Sequence, residues 1–207
     1  RPSDWRPGLE VTGYWWPATV PDWEPPASLV DFLSAGPAPV FLGFGSATPT
    51  AARVAQLSDI VGQALRLAGV RGVVQSGWAG LQVSGDEVLT IGEVPHEWLF
   101  PKMAAVAHHC GAGTTAATLR AGIPHLALPG PAGDQPFWAR RLEHLRVSAA
   151  TIPQRHLTAE RLADAMRAAI RDNRLRDNAA QLSRTLAGED GVAAVLRTVE
   201  THMPTPP

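Results

Sequence analysis

The chain has 207 residues, 45% of them hydrophobic, and 18 basic residues against 19 acidic ones leave a formal net charge of −1. That length suits one sizeable domain with a real core, and the scattered charge excludes a basic nucleic-acid patch and an acidic tail. Cys110 is the sole cysteine, which rules out an intrachain disulfide and a multi-cysteine zinc site.

No apolar run reaches the roughly 18 residues a membrane helix needs, and no secretory leader is visible, so the expected setting is reduced and cytoplasmic. Residues 1–38 are rich in Pro and Trp and carry neither helical nor strand periodicity. The run Gly13-Tyr14-Trp15-Trp16-Pro17, followed by Pro21, Trp23, Pro25 and Pro26, reads as an extended interdomain segment lying on a surface. Its aromatics either face a neighbouring domain or fold back onto this one.

From Pro39 onward the pattern changes. Val40 to Phe44 is a short apolar run ending in Gly45-Ser46, and Ala51 to Ala68 shows helical spacing at Val54, Leu57, Val61 and Leu65. Strands are predicted at Gly72–Gln75, Val88–Ile91 and Ala104–Ala107, a helix from about Gly113, and a strand at His125–Leu128. A helix at Gln135–Leu145, a strand at Ala149–Ile152, and helices beginning near Thr158, Asn173 and Asp190 complete the chain. Apolar strands alternating with helices predict an α/β fold, a Rossmann-like doubly wound parallel sheet over residues 39–207. Ligands in such folds sit at the carboxyl ends of the strands, which directs attention to the segments after each of them.

The densest of these is His108-His109-Cys110-Gly111-Ala112-Gly113-Thr114-Thr115, between an apolar strand and a helix-forming stretch. Glycines let a backbone approach a ligand closely, and free amides at a helix start favour an anion. Threonine hydroxyls and an imidazole add donors, so the segment has the parts of a diphosphate cradle. Asp134-Gln135 follows a Pro/Gly loop at the next strand end. The pair could read sugar hydroxyls, or Asp134 could be an ordinary helix N-cap before Pro136.

The stretch VPHEWLFP from Val94 to Pro101, then HHCGAGTTAATLRAGIPHLALP, then GDQPFWARRLEHL, resembles the donor-binding signature of family 1 glycosyltransferases. More particularly, it is similar to bacterial enzymes that glycosylate natural products and to sterol glucosyltransferases. The resemblance runs from about Gly13 to the carboxyl end and implies one half of a GT-B fold. It implies the nucleotide-sugar donor-binding domain of an inverting enzyme that moves a hexose from a UDP or dTDP carrier to a hydroxyl. The acceptor would be a small hydrophobic, lipid-like or natural-product molecule held by an amino-terminal domain expected to be absent here. Position by position, Ser46, His109, Gly111, Gly113, Thr114 and Thr115 match diphosphate-binding positions, and Asp134 and Gln135 match the pair that contacts the donor sugar. Val94 falls where the family binds the nucleobase, and Trp78 is a candidate for base stacking or else a core tryptophan. The resemblance calls for no cofactor beyond the nucleotide-sugar substrate and no metal.

Glu93 stands where the plant branch has a tryptophan, and Ala117 where that branch has a ribose-binding glutamate. No residue matches the family's catalytic base, so none is assigned, and the chain alone is expected not to complete transfer. An alternative is a stand-alone nucleotide-sugar-binding subunit or sensor. A dinucleotide-binding oxidoreductase is disfavoured because Gly43-Phe44-Gly45-Ser46-Ala47-Thr48 lacks the third glycine of that turn. A metal site on His108, His109 and Cys110 with His96 is disfavoured because adjacent strand residues point to opposite faces.

Overall fold

The computed structural model describes residues 3–17, 22–45, 50–78, 80–131 and 133–202. Six short strands, β1 (Val40–Gly43), β2 (Gly72–Gln75), β3 (Val88–Ile91), β4 (Ala105–His108), β5 (His125–Ala127) and β6 (Ser148–Thr151), form one sheet in the order β3-β2-β1-β4-β5-β6. Every pairing is parallel, with Val40 opposite Gly72 on one side and Ala105 on the other. Parallel strands need crossovers, and the helices supplying them cover both faces.

The pleat sorts the core. Val40, Leu42, Val74 and Leu126 face α2 (Ala51–Ala68) and α6 (Ala159–Arg171), which contribute Leu57, Val61, Leu162 and Met166. Phe41, Val73 and Val106 point the other way, onto Leu29 of α1 (Ala27–Ser34) and Leu99 of α3 (His96–Leu99), with Phe100 just beyond. A third cluster joins Cys110 and Leu119 of α4 (Ala112–Ala121) to Ala139 and Leu142 of α5 (Gln135–His144) and Ala179 of α7 (Asn173–Leu186). Helix α8 (Gly191–His202) ends the described chain. Threonine caps start two of the helices facing the first cluster, Thr50 for α2 and Thr158 for α6, each accepting from the amide three residues on.

Two elements depart from the sequence reading. The segment expected to be extended contains α1, whose Leu29 is fully buried, and His96–Leu99 turns helical and runs into a 3-10 turn at Phe100–Lys102. Of the aromatics before β1, Tyr14, Trp16 and Trp23 fold back onto the domain. Tyr14 lies 6.3 Å from Trp138, Arg120 lies 4.5 Å over Trp16, and Trp23 meets Trp98 edge-on at 5.3 Å.

Candidate functional site

The strand order reverses direction between β1 and β4, so the loops leaving these neighbours diverge and open a crevice at their carboxyl ends. His108 ends β4 with its side chain fully buried, and His109 projects the opposite way. Cys110 then takes a left-handed backbone (φ 66°), and Gly111 becomes the N-cap of α4 with no side-chain cap. The helical ladder begins with Thr115 N–H to Gly111 C=O at 2.9 Å, leaving the amides of Ala112, Gly113 and Thr114 ahead of it.

Two glycines make the seat for His109. Gly45, at φ +65°, and Gly111 both lie against the imidazole, and a Cβ on either would overlap the ring. His109 Nδ1 is buried with no hydrogen-bond partner among the described residues. Burial lowers the pKa of the ring below its ordinary value, and the nearby Asp134 carboxylate opposes that shift. A neutral imidazole thus stands beside an uncapped helix start, the arrangement an incoming anion would complete.

Beneath this seat lies a second pair of imidazoles. His108 Nε2 and His125 Nδ1 are 2.9 Å apart, both rings are fully buried, and the Cys110 amide donates to His108 Nδ1 at 3.2 Å. That amide fixes the tautomers: Nδ1 of His108 is the acceptor, so its Nε2–H donates to His125 Nδ1. His125 Nε2 then carries a proton and has no partner in the core. Sequence reading did not single out His125, which lies within the second signature stretch but in an apolar strand where nothing marks its ring.

Asp134 occupies the N-cap position of α5 but makes no capping bond; its carboxylate instead accepts the Trp138 indole N–H at 2.7 Å. Gln135 Oε1 accepts the Gly130 amide at 2.8 Å and closes the loop between β5 and α5. The capping alternative for Asp134 is therefore not the one adopted, while Gln135 has a structural duty of its own. Asp134 also helps raise the pKa of Tyr14, which burial pushes up to about 12 with Glu189 and Asp134 adding to it.

Along α4 runs a cleft of about 930 Å³. Val94 and Pro95 line it on one side, Trp15 and Trp16 on another, and Gly113, Thr114, Ala117 and Arg120 supply the face of α4 it follows. The helical period brings Gly113, Thr114, Ala117 and Arg120 to that face, and it turns Thr115 away. Thr115 is fully buried, its amide is used in the ladder and its hydroxyl has no partner among the described residues, so it lies on the core side of the helix and not on its cleft face. Trp78 is 72% exposed, which removes the core reading, and it does not line the cleft. Its loop stays close to the site, since a Cβ on the preceding Gly77 would come within 2.9 Å of the Gly45 carbonyl. Ser46 lies outside the described residues. The tryptophan wall and Arg120 were not foreseen as site residues; the only signal was the density of aromatics in a stretch without periodicity.

An α/β half-domain with an uncapped, glycine-rich helix start at its switch point is thus the class that fold and site define. Comparison with known proteins narrows it. Residues 74–201 match the family model described as erythromycin biosynthesis protein CIII-like, C-terminal domain. A sterol 3-beta-glucosyltransferase of Arabidopsis thaliana is 37% identical over 207 residues, covering 99% of this chain and 32% of that protein. The O-mycaminosyltylonolide 6-deoxyallosyltransferase of Streptomyces fradiae is 38% identical over 193 residues, covering 93% of this chain and 44% of its own length. The crystal structure of glycosyltransferase VinC in complex with dTDP superposes with a TM-score of 0.66 at 25% identity, over 89% of this chain and 44% of that one. The chain belongs to the family 1 glycosyltransferases, as an erythromycin biosynthesis protein CIII-like C-terminal domain with the fold of one GT-B half. It spans about a third of the plant relative and under half of the Streptomyces one.

Proposed function

We propose that this chain binds the nucleoside-diphosphate sugar of an inverting hexosyltransferase and stabilises the departing diphosphate. The observation that carries the reading is the His109 ring, seated against Gly45 and Gly111 beside the open amides of Ala112, Gly113 and Thr114. Partial positive charge at a helix start and a hydrogen bond from the imidazole are both strongest when the phosphate carries most charge, as the glycosidic bond breaks. The Thr114 hydroxyl adds a donor at the same end of the cleft, and the family resemblance supports a further phosphate contact from Ser46. These donors meet the diphosphate without a metal ion.

From the amino end of α4 the cleft leads along the helix past Ala117 to Arg120, a length of about 10 Å that suits a nucleoside. In this reading the base lies by Val94 and Pro95, and the hexose lies towards Asp134 and Gln135. Residues 39–207 form the donor-binding unit and residues 1–38 the segment that joins it to an acceptor-binding domain. The carrier is UDP or dTDP; the structural likeness to VinC, which was crystallised with dTDP, supports the latter. The likeness to sterol and macrolide transferases supports a small hydrophobic hydroxylated acceptor, and a chain with a single cysteine is consistent with a reduced, cytoplasmic setting. Transfer would proceed by one displacement, with a base from the acceptor side deprotonating the attacking hydroxyl.

Titration calorimetry of this chain with UDP and dTDP, with and without a chelator, tests the reading. Binding of at least one nucleotide, undiminished by the chelator, is expected. Absence of heat with both at millimolar concentration would remove the donor-binding assignment.

A further inference from the structure

The buried imidazole pair below the cradle has no part in binding as described above, yet it ends on the turn that builds the cradle. We propose that His108 is a positioning residue of the donor site, holding Cys110 in its left-handed conformation through its Nδ1 acceptor, with its Nε2–H taken up by His125. The proposal rests on the donor-binding reading of the cradle.

Cys110 is one of three described non-glycine residues with positive φ, and the left-handed region is unfavourable for any side chain but glycine's. Cysteine has no carboxamide or carboxylate to relieve it locally. What holds the turn is outside it: the Cys110 amide donates to His108 Nδ1 at 3.2 Å, and its Sγ lies 3.7 Å from the His108 carbonyl oxygen. The consequence is geometric. With Cys110 at φ 66°, Gly111 comes to the N-cap of α4 and presses against the His109 ring from one side while Gly45 does so from another. A Cys110 relaxed to ordinary dihedrals would swing Gly111 and the first amides of α4 away from that ring.

His125 matters because the opposite tautomer of His108 would set an Nδ1–H against the Cys110 N–H. His125 Nδ1, 2.9 Å from His108 Nε2, gives the Nε2–H of the tautomer set by the Cys110 amide an acceptor inside the core. The pair is a poor stabiliser for its own sake: His125 Nε2 is left buried and unpartnered, a cost that two apolar side chains would avoid. Its value lies in geometry.

The test separates positioning from filling the core. In His108→Asn the Oδ1 falls near the place of Nδ1 and accepts the Cys110 amide without needing a tautomer. His108→Leu fills the core but accepts nothing. In His108→Leu/Cys110→Gly the left-handed turn no longer needs an anchor. With UDP titrated into each chain, His108→Leu is expected to bind about ten- to a hundredfold more weakly than wild type. His108→Asn should stay within about threefold, and the double variant should recover most of the loss although it removes a further side chain from the core. Should His108→Leu fail to fold, His108→Gln takes its place, since its Oε1 reaches the position of Nε2 instead. Wild-type affinity in folded His108→Leu, or a double variant as poor as the single one, overturns the proposal. Hydrogen exchange of the Cys110 amide gives a readout free of ligand: slow in wild type and His108→Asn, fast in His108→Leu. If wild type bound neither UDP nor dTDP, the donor-site reading would fall, and uniformly slow exchange would separately sink the role of His108.

Discussion

His109 illustrates how a side chain gets its place from what its neighbours lack. Two residues without Cβ leave room for the ring, and the positive φ of Gly45 lets the loop after β1 close against it. His109→Ala is expected to weaken UDP binding about ten- to a hundredfold, the worth of one hydrogen bond to a charged group, as measured by calorimetry on the folded variant. Unchanged affinity would move the anion contact elsewhere. The buried histidines also make a prediction about acid. Burial lowers the pKa of His96, His108 and His109, and takes His125 from 6.5 down to about 3. Between those values the unfolded chain binds protons that the folded chain refuses, so stability is complete above about pH 6.5 and declines as pH falls below it. Melting temperature should be flat from pH 8 to 7 and descend from pH 6 to 4, and His125→Leu should flatten that descent. A wild-type melting temperature independent of pH over the lower range would show these rings charged in the fold. Neither the pairing of His108 with His125 nor the inward turn of Thr115 could be read from the sequence, because both depend on which face a residue takes three-dimensionally rather than on its motif.

At the scale of elements, the sheet and its crossovers were legible because burial on both faces forces continuous apolar runs. Gly72–Gln75 and Val88–Ile91 appear with the expected bounds, and α2 spans the expected Ala51–Ala68. The helices that escaped notice are short ones bounded by proline: α1 begins after Pro25-Pro26, and α3 follows Pro95 and runs out at Pro101, and neither carries a side-chain cap. Their stability comes from Leu29 and Leu99 reaching the core, a tertiary contact without a periodic trace. The glycine-rich turn was legible as a helix start, but not its interlock with the loop after β1. That interlock is tested by Gly45→Ala, whose Cβ would overlap the His109 ring at a φ of +65° that disfavours alanine. The variant should lose nucleotide affinity by about as much as His109→Ala, since the same contact is broken. Substituting both together should then cost little more than either alone, and full additivity in calorimetry would show that the two act separately.

On the scale of the whole molecule, the functional groups gather along one edge, where the strands end and α4 begins. The amino-terminal segment reaches the same place: Trp15 lines the cleft and is 64% exposed, while Tyr14 and Trp16 are braced by Trp138, Arg120 and the carbonyl of Glu189. The start of α8 is locked to this segment as well, since a Cβ on Gly191 would come within 2.6 Å of the Tyr14 carbonyl oxygen. The segment at Tyr14–Trp16 and the start of α8 thus meet beside the cleft. The relatives extend well beyond the matched region, with this chain covering 32% of the Arabidopsis protein and 44% of the Streptomyces one. A displacement needs a second reactant held in line with the donor, and well-placed reactants supply about 7–11 kcal/mol of the barrier. In the proposed reading the cradle orients only the donor and its leaving group. Assayed by itself with UDP- or dTDP-glucose and a panel of sterols and macrolide aglycones, this chain is therefore expected to bind donor, to hydrolyse it slowly at most, and to transfer no sugar. Adding the amino-terminal region of a relative in trans should bring transfer up from background, and His109→Ala should abolish that gain. Robust glycosylation by the unaided chain would show that it holds an acceptor and a base of its own.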